Sequence, residues 1–281
     1  MEREKTTKNI GKLESKVLIF GGVYSNLQAL EGLLKIAKEK GIPNSNMICT
    51  GDIIGYCAQP NECLQTFQDL GIASIAGNVE IQLREEQEDC GCDFSDGGRC
   101  DLFSKNWYAY AQKKLNPKFL NYLNALPHFI NFEYAGKKVS LVHGSYHHIS
   151  EFIFKSSPWS KKEKNFRATN SDIIIAGHSG LPFVDQKEDL LWINPGVIGM
   201  PANDGKTKVW YGILNDEQGR ISYEFHNFEY DFNKAAGLML ENNLPASYAQ
   251  TLKTGLWDNC EILPRQETLE QGKPLCPAII I

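Results

Sequence analysis

Short, wholly apolar runs recur along the chain, each ended by small or polar residues. Val17–Phe20 stops at Gly21-Gly22, Met47–Cys49 at Thr50-Gly51, and Ile173–Ala176 at Gly177. A run of three or four apolar residues with no polar alternation predicts a strand buried on both faces, as in parallel sheets. Between the runs the period lengthens. Leu27, Leu30, Leu33, Leu34 and Ile36 share one helical face, with Ser25 and Gln28 spaced as a capping box and Gly41-Ile42-Pro43 as the stop. Residues 60–70 read as a second helix opened by Pro60 at its first turn. Residues 72–76 read as a strand, with a helix beginning near Asn78. Residues 101–115 and 117–125 read as helices, the first rich in aromatics.

The second half changes character. Phe129–Tyr134 with Lys138–Val142, residues 183–185 with 190–193, and residues 209–214 with 221–225 read as hairpins. Helices near 231–241 and 246–255 follow. Alternating strands and helices, then hairpins, predict an α/β domain with a mixed sheet or two stacked sheets. No linker-like stretch divides residues 16–257, so one domain is expected there. Residues 1–15 read as a flexible N-terminal tail and 258–281 as an irregular C-terminal tail with an apolar end, Ala278–Ile281.

Composition narrows the function classes. The chain has 281 residues, 42% hydrophobic and 22% charged, with 29 Lys+Arg against 34 Asp+Glu. That balance supplies no basic field for bulk binding to nucleic acid. No apolar run reaches the length of a membrane span, and the polar start lacks the apolar core of a signal peptide. The eight cysteines are therefore read as reduced thiols of a cytoplasmic protein.

In open α/β sheets ligands gather at the carboxyl ends of the strands, so the residues following each apolar run matter most. Asp52, Asn78, His143 and His178 all stand there, three of them directly after a glycine. Two imidazoles with two oxygen donors suit one divalent ion, Mn, Fe, Zn or Ni.

The blocks Gly51-Asp52-Ile53-Ile54-Gly55-Tyr56, Gly77-Asn78-Val79-Glu80, Leu141-Val142-His143-Gly144, Gly177-His178-Ser179-Gly180 and Asn194-Pro195-Gly196 come in one order over residues 16–257. In that order they resemble the calcineurin-like metallophosphoesterases of small bacterial and archaeal type. The resemblance implies a four-layer α/β/β/α sandwich of two mixed sheets flanked by helices. It also implies hydrolysis of phosphoric esters or nucleotide polyphosphates at a two-metal centre.

The chain departs from the family pattern selectively. The positions exclusive to the family's first metal are Gly22, Tyr24 and Gly180 here, and its catalytic histidine is Val79. The resemblance keeps Asp52, Asn78, His143 and His178 as a complete second site, so one metal per chain is expected. The family's general acid has no counterpart, and the catalytic residue is left open. The vacated side predicts a phosphate or substrate site at Gly22, Tyr24, Ser25, Asn26 and His147, beside a helix N-terminus. Tyr24 reads as a hydrogen-bonded phenol, with a replacement metal ligand as the alternative. A regulatory protein that binds a phosphate-containing small molecule or nucleotide without turnover is the alternative function. Glu80 reads as structural. Cys90, Cys92 and Cys100 lie in an Asp/Gly-rich insertion, 89–101. The loop reads as reduced and irregular, with a metal knuckle and a redox-formed disulfide as alternatives.

Overall fold

In the computed structural model, which describes residues 5–217 and 220–275, the short apolar runs form the middle of two stacked sheets. Strand β2 (Val17–Phe20) pairs in parallel with β3 (Met47–Cys49), and β3 with β4 (Ala73–Ser74). The hairpin of β10 (Val209–Glu217) and β11 (Arg220–Phe228) completes a five-stranded sheet ordered β11-β10-β2-β3-β4. The second sheet has six strands, ordered β1-β5-β6-β7-β9-β8. They are β1 (Thr7–Leu13), β5 (Phe129–Tyr134), β6 (Lys137–Val142), β7 (Ile173–Ala176), β8 (Pro182–Lys187) and β9 (Leu190–Pro195).

The period-2 geometry of each strand explains why these runs carry no polar residue. Val17 and Ile19 face the other sheet and pack with Leu141, Ile173, Ile175 and Ile193. Leu18 and Phe20 point the opposite way, into helices α1 (Leu27–Glu39) and α2 (Pro60–Leu70). On the outer face of the second sheet, Ile174 and Ala176 pack against Phe166 of α6 (Trp159–Thr169). Helices on both outer faces of two mixed sheets give the four-layer α/β/β/α sandwich. The first sheet's helical layer also holds α3 (Asn78–Arg84), α4 (Arg99–Lys114), α5 (Leu120–Ala125), α7 (Phe232–Glu241) and α8 (Ala246–Thr254). Among the described residues, no helix is long and apolar enough to cross a membrane.

Three expectations are corrected. Residues 7–13 are not tail but strand β1, an edge strand paired in parallel with β5. Ile10 and Leu13 pack on the inter-sheet core while the lysines stay exposed, a composition common on sheet edges. The cap of α1 is Asn26, whose side chain accepts from the N–H of Ala29 at 3.1 Å. Ser25 instead stands at φ 59°, and its hydroxyl accepts from the N–H of Gly55. Residues 258–275 are irregular apart from helix α9 (Arg265–Thr268), yet they are docked. The N–H of Gly272 donates to the Asn203 carbonyl at 2.8 Å, and Arg99 holds Asp258 through two bonds of 2.7 Å. Cys276 and the apolar end Ala278–Ile281 lie outside the described residues.

Candidate metal centre

The carboxyl ends of β3, β4, β6 and β7 meet at one rim of the sandwich. Asp52 stands three residues beyond the end of β3, Asn78 opens α3 after β4, His143 directly follows β6, and His178 follows β7. All four are buried. Their donor atoms converge on the Nε2 of His143. Asn78 Oδ1 lies 3.0 Å from it, His178 Nδ1 3.2 Å and Asp52 Oδ2 3.3 Å. Donors about 2.1 Å from one ion stand roughly 3.0 Å apart at right angles and about 3.4 Å apart in a tetrahedron. The observed spacings span that interval. Among the described residues, Asp52, His143 and His178 form a group of metal-ligating side chains with ligand atoms within 4.8 Å of one another. Asp52 Oδ1, beside these donors, is buried without a hydrogen-bond partner, as expected of a group shaped for something besides protein.

Each donor is oriented from behind. The Nδ1 of His143 faces the Thr50 carbonyl at 2.7 Å, which fixes a proton there and turns Nε2 inward as a ligand atom. The Nδ2 of Asn78 donates to the Cys90 carbonyl at 2.7 Å and to Cys92 Sγ at 3.1 Å, which aims Oδ1 into the centre. Asp52 sits at φ 56° and His178 at φ 60°, backbone conformations that side-chain-bearing residues adopt only where the surroundings enforce them. The enforcer at Asp52 is Glu80. One of its carboxylate oxygens accepts from the N–H groups of Asp52 and Gly77 at 2.9 and 2.8 Å, and the other from Ile54 at 3.0 Å. Gly77 is required by contact. A Cβ there would lie 2.0 Å from Asp52 Oδ1.

The electrostatics suit cation capture. Burial, and next the Asp52 carboxylate, push Glu80 up to about 7. Burial and the neighbouring His143 hold His178 down at about 3, so it stands as a neutral imidazole. At His143 burial acts downward, but Asp52 and the Thr50 carbonyl outweigh it and raise the imidazole.

The other side of the centre is filled with rings. The Tyr24 ring lies against the Cα of Gly22, where a Cβ would come within 2.5 Å of ring carbons. Burial and then Asp52 push the Tyr24 hydroxyl well above its ordinary value. Trp257 covers Gly180 at ordinary contact distance. Val79 is buried and lines the same cavity.

The expected phosphate site is corrected accordingly. Ser25 and Asn26 are buried and hold the chain itself. Ser25 N–H donates to the Ile53 carbonyl, Tyr24 N–H to that of Asp52, and Asn26 Nδ2 to that of Gly199. Those groups are therefore engaged with the chain's own backbone. Gly22 is roofed by Tyr24, and His147 is exposed, with Nε2 towards the Lys164 carbonyl and away from the cavity. Of that set only Tyr24 reaches the cavity.

The cysteine insertion does not gather as a knuckle or a disulfide. All seven described cysteines are free thiols. Cys90 is buried, Cys92 touches Asn78, and Cys100 Sγ bonds to Asn259 Oδ1 at 3.3 Å. Periodicity also gave no sign of Phe152, Tyr248 or Trp257, which line the cavity from α8 and two irregular segments. Phe152 and Trp257 stand in irregular segments, and Tyr248 shares the buried face of α8 with Ala249 and Leu252, where it reads as core.

Comparison with known proteins agrees with this geometry. A model of the calcineurin-like phosphoesterase superfamily domain matches residues 16–217. An uncharacterized protein of Methanocaldococcus jannaschii is 30% identical over 263 residues, covering 86% of this chain and 99% of the relative. Among solved structures, a metallophosphoesterase from Sphaerobacter thermophilus is 24% identical, covers 87% of this chain and all of its own, and superposes with a TM-score of 0.68. A hypothetical protein from Pyrococcus horikoshii is 21% identical, covering 86% and 99%, with a TM-score of 0.71. The sandwich, the four donors at its rim and the matched domain together make this chain a member of the calcineurin-like phosphoesterase superfamily.

Proposed function

We propose that the chain is a divergent phosphoesterase whose centre holds one divalent metal ion on Asp52, Asn78, His143 and His178. The convergence of their donor atoms at 3.0 to 3.3 Å around His143 Nε2 carries the reading. The three positions exclusive to the family's other metal are a glycine under a phenol ring, that phenol, and a glycine under Trp257. None is a carboxylate or an imidazole. When bound, a divalent ion at such a site acidifies water and polarises a phosphoryl oxygen.

The chain's own residues set the limits of the chemistry. His178 is held neutral by burial, Asp52 supplies the anionic donor, and the Glu80 carboxylate keeps the Asp52 loop in place. Val79 offers no proton to a departing alkoxide. A missing general acid typically costs on the order of 10²–10⁴-fold in rate. Esters of acidic alcohols, which depart without protonation, are the substrates least affected. The same Val79 favours a second reading, a protein that binds a phosphate-containing molecule without turning it over.

Metal analysis of the purified chain, with turnover of bis(p-nitrophenyl) phosphate in Mn, Fe, Zn or Ni, tests the proposal. One equivalent of metal, lost in His143→Ala together with activity, is expected. Two equivalents at this centre refute the single-metal reading. One equivalent with tight phosphate-ester binding and no turnover selects the second reading.

A further inference from the structure

The cavity over the metal residues has about 780 Å³ of space counting its open mouth. Its walls are aromatic and aliphatic. Tyr56, Phe94, Phe152, Met200, Tyr248 and Trp257 surround it, with Asp52 and His178 at the floor. The rings support one another. Tyr56 stacks on Trp107 at 4.8 Å and meets Tyr24 and Tyr248 edge-on at 4.6 and 5.0 Å, while Phe152 stacks on His178 at 4.3 Å.

Charge is as informative as shape. Among the described residues that line the cavity there is no lysine or arginine, and the ionisable acids are Asp52 and Asp258. The nearby Arg99 is committed to Asp258 by two bonds of 2.7 Å. A divalent ion beside Asp52 leaves about one net positive charge to meet a ligand. A polyphosphate carrying three or four negative charges would lie unneutralised between apolar walls, at a cost that grows with each unmet charge. A phosphodiester carries one.

Much of the roof comes from outside the matched phosphoesterase domain, which ends at residue 217. Tyr248 lies on α8, Trp257 follows it, and Ile262 stands on the docked segment after it. Trp257 is fixed by a bond from its N–H to the Asn203 side chain and another from Nε1 to the Pro201 carbonyl, both 2.8 Å. A held indole presents area to a ligand at little entropic cost.

We infer that the substrate is a phosphodiester bearing a flat, uncharged aromatic or apolar group, seated between Tyr248, Trp257 and Phe152, and that the C-terminal segment selects it. The inference rests on the metal-centre reading for the position of the phosphate, but the ring-binding walls are independent of it.

Isothermal titration of the Mn-loaded chain with diphenyl phosphate, dimethyl phosphate and phenyl phosphate tests it. Diphenyl phosphate is expected to bind at least about tenfold more tightly than dimethyl phosphate, and more tightly than the dianionic phenyl phosphate. Trp257→Ala should erase most of the diphenyl-over-dimethyl preference. Ile262→Lys, at a partly buried site on the cavity wall, should shift the preference towards phenyl phosphate by placing a cation in the wall. Equal binding of diphenyl and dimethyl phosphate, or tighter binding of phenyl phosphate by the unmodified chain, overturns the inference. Absence of Mn uptake refutes the metal centre instead. The ratio of diphenyl to dimethyl phosphate, read then on the metal-free chain, still decides the inference.

Discussion

Gly77→Ala isolates the metal centre from the rest of the fold. Gly77 has φ −82° and ψ 179°, ordinary extended backbone in which alanine is at ease, so no conformational strain is introduced. The added Cβ is the whole perturbation. It would sit 2.0 Å from Asp52 Oδ1, 2.6 Å from Asp52 N and 2.8 Å from Asp52 Cγ. Relief to ordinary contact needs a movement of roughly 1.4 Å, whereas metal–ligand distances tolerate about 0.2 Å. The carboxylate must therefore leave its position, or α3 must move with Asn78 and the Glu80 bond to Gly77. Either route disturbs a donor. Overpacking of this size costs about 1–3 kcal/mol of stability, so the variant should fold with a lowered Tm. Metal affinity should fall by more than the ten- to hundredfold typical of groups that only support a ligand. Titration of Mn or Zn into the metal-free protein, with melts of the same samples, reads both effects. Gly237→Ala is the control. It lies in α7 with nothing within 4 Å of its added Cβ, so it should leave affinity unchanged and stability equal or higher. Undiminished metal affinity in folded Gly77→Ala would refute the assignment of Asp52 as a ligand.

Three further outcomes follow from the same geometry. Glu80→Gln keeps an acceptor for two of the three backbone N–H groups and sets an amide against the third; about 1–3 kcal/mol of stability and at least about tenfold in metal affinity should be lost, by melts and titration. Cys90→Ser and Cys100→Ser should leave metal stoichiometry at one, whereas Cys92→Ala, which removes an acceptor from Asn78, should weaken affinity several-fold; zinc or manganese analysis distinguishes this from a thiolate site. Burial, followed by Arg84 and Lys5, lowers the His128 imidazole from 6.5 to about 4. The unfolded chain then binds a proton that the folded chain refuses, so stability present above 6.5 is lost as pH falls towards 4. His128→Gln should flatten the fall in Tm across that window, and an unchanged slope would sink the argument.

The fold was legible where residues are buried on both faces. Val17–Phe20, Met47–Cys49 and Ile173–Ala176 are read directly as strands because no polar alternation competes with burial. The edge strand β1 was hidden for the opposite reason. Only Ile10 and Leu13 of its seven residues are apolar enough to reach the inter-sheet core, and charged edge positions look like tail. Ser25 and Asn26 are both good caps, and local sequence cannot choose between them. The choice is made by Gly55 and Ile53, which take the Ser25 hydroxyl and N–H from 28 or more residues away.

The metal side of the site was legible because its donors sit at strand ends, where topology forces convergence. The substrate side was not. Its walls come from Phe152, Tyr248 and Trp257, which no period connects and which meet only when residues 256–263 dock over the rim. At the rim beside those donors, the Tyr24 ring lies over Gly22 and Trp257 over Gly180, so the wall next to Asp52 and His178 is apolar. On the proposed single-metal reading, a centre walled in this way offers more contact to the uncharged part of a ligand than electrostatic stabilisation to a departing group. Its selectivity should therefore track the size and flatness of the ester's organic group more steeply than the number of its phosphates.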